Sequence, residues 1–431
     1  MASSGHVQLA VTGLQDELIT GSPDITYFQK RFTKHTKFAL ELMDNPFEGE
    51  VDFGTTSRCI IQRRGDLIRN IYLRIELPPL NTAATSNVGY SDSIGHSIIE
   101  YADLIIGGQT IERITGEYME IFTELFVVDS QQFAVRDVVG KTYKRTGLGP
   151  ASVDPTVTNN FFGTYPRTFI VNLPFYFNRS DSLSIPLCAL TRQEVEVEIK
   201  FRPLDQVIVQ PLEDPPLATP PTTIGNVIRA SMPTEYVFLG DEERNLFMNS
   251  SLEYIITQLQ LSRSVMEADL MSKTFRLRFV NPVKEMYIMI QDKDKAAANV
   301  VTGNDHLNYQ NPLNTSNPLY NQLSTMSLTF NNEIMISGDV ADALYLHDIE
   351  PMNHHSRVPR RLFYNYSFAL DPENYLPTGQ VNMSRINNKL LTLNTPTPSV
   401  DRDVRIYAKS INILKIRDGL AGLLFADNNS V

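Results

Sequence analysis

His347, Asp348, Glu350, His354 and His355 crowd residue types that bind metal ions, because imidazole nitrogen and carboxylate oxygen both offer lone pairs to zinc or iron. Their spacing fits no recognised ligand set, and the chain has no His-x-His pair, so a loop with ordinary polar contacts is the expectation. Asp292-Lys-Asp-Lys opens like a calcium loop, yet Ala297 stands where the turn needs Gly and Gly303 where a bidentate Glu belongs. There is no Gly-rich phosphate cradle and no Gly-x-Ser-x-Gly elbow, and neither Cys59 nor Cys188 has a His near it in sequence. The expectation is therefore a protein without a catalytic residue, cofactor or metal, and not an enzyme. One dense basic stretch remains, Lys30, Arg31, Lys34, His35 and Lys37, between Asp24 and Glu41. It reads either as a partner-facing patch for acidic proteins or anionic headgroups, or as the solvated side of a first strand that buries Phe38, Leu40 and Leu42.

The elements that would carry these residues are mostly strands. Ile71, Leu73, Ile75 and Leu77 alternate with polar neighbours, as do Val195, Val197, Ile199 and Phe201, then Phe275, Leu277 and Phe279, then Tyr364, Tyr366, Phe368 and Leu370. Helical signals are confined to 116–129 and to a short turn from Asp241, which is placed to cap it. With 25 Pro and 22 Gly between short strands, sandwiches or barrels are expected. Gly107-Gly108 and Asn331-Asn332 each sit between two strand-like runs and suit type I′ hairpins, where both central residues need positive φ. These turns lie 224 positions apart, about half the chain, which points to one architecture used twice with a longer insertion between about 120 and 165 of the first half.

A chain of 431 residues with 42% hydrophobic content holds two β domains comfortably. Its net charge of −11 disfavours nucleic acid as a general partner, so no direct sequence-specific nucleic-acid binding is expected. Two cysteines are too few for a disulfide framework and suit a reducing compartment. The start lacks a signal-peptide pattern and no apolar run reaches the roughly 20 residues a membrane span needs, so a soluble intracellular product is expected, with its six Asn-x-Ser/Thr sequons bare. Five prolines within 211–221 forbid a helix or a central strand there, so 210–224 is expected to be a linker. The expected layout is an arm at 1–24, a first domain at 25–209, the Pro-rich linker, and a second domain at 225–431. Residues 303–322 read as a long surface loop.

The tail is the most specific stretch: Tyr364-Asn-Tyr-Ser-Phe-Ala-Leu-Asp-Pro, then Pro377-Thr-Gly-Gln-Val-Asn-Met-Ser-Arg385. It resembles the signature of major capsid proteins from nucleocytoplasmic large DNA viruses. Further anchors follow in that family's order: Gly13 to Phe38, Gly65-Asp-Leu-Ile, Ile106-Gly-Gly-Gln-Thr-Ile, Leu173-Pro-Phe-Tyr-Phe, Tyr236 to Phe247, and Ile413 to Phe425. Leu239-Gly-Asp and Thr191-Arg-Gln depart from the family's usual residues. The resemblance implies an all-β fold of two consecutive eight-stranded antiparallel jelly-roll barrels, a double jelly roll with short helices in its loops. It implies a structural viral capsid protein, a homotrimer forming a pseudo-hexagonal capsomer of an icosahedral shell. The partners so implied are neighbouring capsomers, minor capsid and penton proteins and, through minor proteins, the inner viral membrane. Its location would be the virion capsid, assembled in host cytoplasm. The alternatives are a minor capsomer or assembly scaffold of the same fold, or a two-domain jelly-roll carbohydrate-binding protein.

Overall fold

The computed structural model describes residues 4–30, 32–81, 89–141, 166–209, 222–223, 226–227, 229–293, 306–309, 321–396 and 400–425. The chain divides into two units, Met1–Lys37 and Phe38–Val431. Within the first, α1 (Ser4–Ala10) and α2 (Leu14–Thr20) are short helices without a buried residue. Asp16 folds back over the start of α2, accepting from the Gly13 N–H at 2.9 Å.

The second unit begins with strands whose alternation leaves one face for a core. These are β1 (Phe38–Pro46), β2 (Thr56–Ile60), β3 (Leu67–Leu77), β4 (Ile99–Ile106), β5 (Gln109–Thr115), β6 (Arg167–Asn172), β7 (Val195–Phe201) and β8 (Arg229–Leu239). They form two antiparallel sheets in the orders β1-β8-β3-β6 and β2-β7-β4-β5, the first also joined by the two-residue strand Ile185–Pro186 beside β3. Ile71, Leu73, Ile75 and Leu77 of β3 face Val195, Val197, Ile199 and Phe201 of β7 within one buried cluster. The next eight strands repeat the plan: β9 (Leu252–Met266), β10 (Ser272–Arg276), β11 (Pro282–Asp292), β12 (Thr325–Phe330), β13 (Glu333–Ile336), β14 (Tyr364–Ser367), β15 (Lys389–Asn394) and β16 (Arg402–Arg417). Their sheets run β9-β16-β11-β14 and β10-β15-β12-β13, each strand eight places on from its counterpart. A last short strand, β17 (Leu420–Leu423), pairs with β16. The fold is a double jelly roll, with two sheets closing over each core.

Both hairpins have the expected geometry. Gly107 and Gly108 have φ of 59° and 81°, Asn331 and Asn332 of 49° and 71°, and each pair joins adjacent strands, β4 to β5 and β12 to β13. A one-turn helix, α3 (Ile94–Ser97), leads into β4. The connection from β5 to β6 is longer than that from β13 to β14, as the unequal spacing implied, and holds α4 (Gly116–Phe126) and α5 (Gln132–Val139); residues 142–165 of it lie outside the described residues.

β8 corrects the expected layout. It pairs with β1 from Phe38↔Leu239 to Pro46↔Ser231 and with β3 on its other side, so it is the eighth strand of the first barrel. Without it β1 would lose its hydrogen-bonded neighbour, and Met232, Thr234 and Tyr236 would lose the core they fill. In sequence the Pro-rich segment 210–224 therefore falls between β7 and β8, two strands of the first barrel, and not between the barrels. Of that segment only Thr222–Thr223 is described, paired with Leu80–Asn81; the rest, like most of 303–322, lies outside the described residues. The barrels are joined instead through α6 (Asp241–Asn249), whose cap is Gly240, with Asp241 in the first helical turn.

Burial of the first strand is also reversed from expectation. Asn45 points into the barrel and Met43 packs against its core, so Phe38, Leu40 and Leu42 on the other face are 52%, 48% and 63% exposed. Register decides this, because a one-residue shift exchanges the two faces of a strand.

Candidate functional site: the seam between the barrels

Glu117, Glu120 and Glu124 lie three and four residues apart on α4, which places all three carboxylates on one helix face. Thr115 starts this helix, its Oγ1 accepting from the Tyr118 N–H at 3.3 Å. Three buried acids on one face repel each other unless each meets cations, and here each does. Glu117 accepts from Arg202 at 2.6 Å and from Arg405 of β16 at 3.0 Å. Glu120 lies 2.8 Å from His96 Nδ1, 2.9 Å from Lys141 Nζ and 3.1 Å from Arg361 Nε. Glu124 takes Lys141 and the Arg360 backbone N–H, the latter at 2.6 Å. Arg361 also donates to Asp92 at 2.6 Å. Cations of the second half thus close over acids of the first.

Electrostatics follow from that geometry. Burial alone would raise the Glu117 carboxyl, but the guanidiniums of Arg202 and Arg405 overcome it and hold the group well below the usual carboxylate range. The same holds for Glu120, where burial is opposed by Lys141, Arg361 and His96. His306, whose Nε2 is 2.7 Å from the Gln206 carbonyl oxygen, is pushed down to about 4 by burial and by Arg202.

Around this ionic line the seam is apolar and hydrogen-bonded. Tyr287 and Met289 of β11 and Tyr407 of β16 belong to the first barrel's core, while Met286, Ile288, Ile290, Val404, Ile406 and Ala408 on the same strands fill the second. The two central strands of the sheet, β16 and β11, are therefore buried on both faces. Tyr118 packs at 6.2 Å from Tyr287 and 6.4 Å from Tyr407 between ring centroids. Gln258 donates to the Ile111 carbonyl at 2.6 Å, and the Ala421 N–H donates to Gln193 Oε1 at 2.6 Å. A cleft of about 280 Å³ opens along the seam among Tyr101, Ile111, Arg113, Arg202, Leu259 and Arg263. Such a seam positions one barrel on the other: the charges are saturated, so their effect is on orientation more than on net stability.

The residues singled out from sequence are dispersed. Lys30, Lys34, His35 and Lys37 are exposed in the first unit, and Arg31 lies outside the described residues. His347 to His354 form a helical turn and not the expected loop, with α7 (Glu350–His354) at its end. His347 is 3.0 Å from Asp348 and 3.1 Å from the Arg361 carbonyl oxygen, whereas His355 is buried 3.2 Å from Glu285 and 3.4 Å from Glu373. Among the described residues no group of three or more His, Cys, Asp or Glu is arranged to hold a metal, and no helix is long and apolar enough to cross a membrane. Cys59 and Cys188 are both free thiols. Sequence reading missed the seam. Its signal is the unbroken apolar run Met286-Tyr-Ile-Met-Ile290, which marks a strand covered on both sides, in contrast to the alternation of β3.

Comparison with known proteins agrees with this architecture. Residues 26–240 match the family described as major capsid protein N-terminus, and residues 243–422 match the large eukaryotic DNA virus major capsid protein family. The change-over falls just after β8. The major capsid protein of Pyramimonas orientalis virus is 27% identical over 98% of this chain and 99% of its own length, and that of Paramecium bursaria Chlorella virus 1 is 27% identical over 99% and 100%. Among solved structures, the Paramecium bursaria Chlorella virus 1 capsid protein superposes with a TM-score of 0.75 at 23% identity, covering 93% of this chain and all of that one. The Faustovirus major capsid protein gives 0.75 at 12% identity, covering 94% of each. Two barrels of one topology, joined after β8 and matched along nearly their whole length, place this chain in the major capsid protein family of the large eukaryotic DNA viruses.

Proposed function

We propose that the chain is the structural unit of a viral capsid and that three copies close into a pseudo-hexagonal capsomer tiling an icosahedral shell. The observation that carries this reading is the exact repetition of strand order in two barrels held by one seam. Three such chains present six like barrels, an outline that meets its neighbours in near-equivalent ways on every side. Light scattering of the purified protein tests it: three chains of 48.7 kDa give about 146 kDa, persisting on dilution. A stable monomer of 48.7 kDa refutes it.

In this reading the basic residues Lys30, Lys34 and Lys37, just after the arm 1–24, face acidic minor capsid proteins or anionic headgroups of an inner membrane, during assembly in host cytoplasm. Their exposure in the first unit and the acidity of the rest of the chain support it. Replacing all three by Glu is expected to impair particle assembly while leaving the capsomer mass unchanged; normal particles would remove the role.

A further inference from the structure

A second group of buried charges lies between the barrels, away from the acids of α4, and its signs do not balance. Arg179 ends a one-turn helix after β6 (Tyr176–Arg179) in the first barrel, whereas Lys284 of β11 and Lys409 of β16 belong to the second. Lys284 and Lys409 are 1% and 2% exposed, and the Arg179 side chain 10%. Two of these cations have acids of their own: Arg179 lies 3.2 Å from Glu112, and Lys409 lies 2.8 Å from Glu285. His355 shares Glu285 and takes Glu373. Lys284 has only the Asn374 carbonyl oxygen, at 2.6 Å, and among the described residues no carboxylate forms an ion pair with it. Asp371 attracts it from an exposed position, where water screens the charge. With His355 protonated, the cations Arg179, Lys284, Lys409 and His355 therefore outnumber the carboxylates Glu112, Glu285 and Glu373 by one.

A pocket of about 10 Å³ lies among Arg179, Thr257, Lys284, Glu373, Tyr375 and Lys409, room for one water-sized occupant. The donors that line it are under-used. Lys284 has three N–H groups and one acceptor, the Arg179 Nε–H has no acceptor, and the Thr257 hydroxyl accepts from Arg179 and keeps its own hydrogen to donate. Burial, reinforced by Lys409 and Arg179, pushes the Lys284 ammonium down to about 8 against the pull of Glu285 and Asp371. A water molecule in the pocket would serve the hydrogen bonds and leave the excess charge in place.

We propose that this pocket is a chloride site that ties the two barrels together, the ion accepting from Lys284, Arg179 and Thr257. Chloride is close to water in size, carries the one charge the cluster lacks, and asks only for donors around it. Phosphate and sulfate are too large for the space. Because Arg179 comes from the first barrel and Lys284 and Thr257 from the second, the bound ion lies across the seam and stabilises the docked barrels by an amount that grows with chloride concentration.

Thermal melting of the full chain tests the site at pH 6, where His355 and Lys284 are both protonated, with gluconate exchanged stepwise for chloride at constant ionic strength. The melting temperature is expected to rise saturably, by about 2–3 °C once chloride exceeds its Kd 100-fold. Lys284→Met keeps an apolar stem in place of the unpaired cation and is expected to lose the chloride-dependent rise. Crystals of the parent soaked in bromide give a readout independent of stability, with an anomalous peak expected beside Lys284 and Arg179. Equal melting of the parent in the two salts, or a rise that survives in Lys284→Met, rules the ion out. A pocket without bromide in those crystals does the same, and it decides the matter if Lys284→Met fails to fold.

Discussion

Glu117→Gln is the sharpest perturbation of the seam, because it removes one charge that serves two buried guanidiniums. Glu117 neutralises Arg202 and Arg405, whose side chains are only 6% and 2% exposed. After the change each guanidinium keeps a partner: Arg202 donates to the Ser97 carbonyl at 3.2 Å, and Arg405 keeps Gln291 and lies 3.4 Å from Asp403. The loss therefore belongs at the lower end of the range for breaking a buried ion pair, about 3–4 kcal/mol. For a chain of this size that is a fall in melting temperature of about 3–4 °C by differential scanning fluorimetry. Arg405→Met is expected to cost less, because Glu117 retains Arg202. The double variant should then lie about 1–3 kcal/mol closer to the parent than the sum of the singles, since removing Arg405 also removes one orphaned charge. Strictly additive losses, or a fall below about 1 kcal/mol for Glu117→Gln, would refute the view that this helix face fixes the barrels through its charges.

Four further outcomes follow from the same structure. Burial lowers the His355 imidazole, but Glu285 and Glu373 outweigh it and raise the group above 6.5, with Lys409 opposing; its contribution is complete below pH 6.5 and is lost as pH rises through the folded value, so His355→Gln should cost more melting temperature at pH 6 than at pH 9. His306 has the opposite sign: depressed to about 4, it stabilises above pH 6.5 and loses that contribution as pH falls toward 4, so His306→Gln should narrow its deficit in acid, and equal deficits at both ends would count against burial as the cause. Gly107→Ala places a Cβ 2.3 Å from Gln193 Nε2 at φ of 59°, so strain of about 1–2 kcal/mol adds to loss of the Gln193–Ala421 hydrogen bond, whereas Asn331→Gly should leave the melting temperature within a degree or so of the parent. Cys59 is buried with its thiol pushed up to about 12, so a thiol reagent should titrate at most Cys188 in native protein and both thiols in urea.

The strand framework was legible where one face meets a core and the other meets water. β3, β7 and both hairpins follow directly from alternation and from the turn residues. Failures cluster where a third surface intervenes. In β1 the apolar residues Phe38, Leu40 and Leu42 lie on the face turned away from the barrel, so alternation was present but its sense was inverted. β8 was assigned to the wrong barrel because prolines announce a break without saying which elements it separates. The seam acids were invisible as a site, since a Glu-rich helix reads as solvated until its arginine partners, up to 288 positions away, are placed beside it.

The corresponding strands β3 and β11 show what duplication demands of a sequence. Each lies in the same place in its barrel, yet β3 turns Asn70, Tyr72, Arg74 and Glu76 outward, while β11 turns out Tyr287 and Met289. Both outward faces occupy equivalent positions in the tandem, so the difference cannot arise from the barrel itself. It arises from what covers each face. The outer face of β11 is closed by its own chain where the two barrels dock, so it can be dry. The outer face of β3 is only half-buried, so polar residues serve it, and the apolar Phe38, Leu40 and Leu42 lie exposed on β1 at the edge of the same sheet.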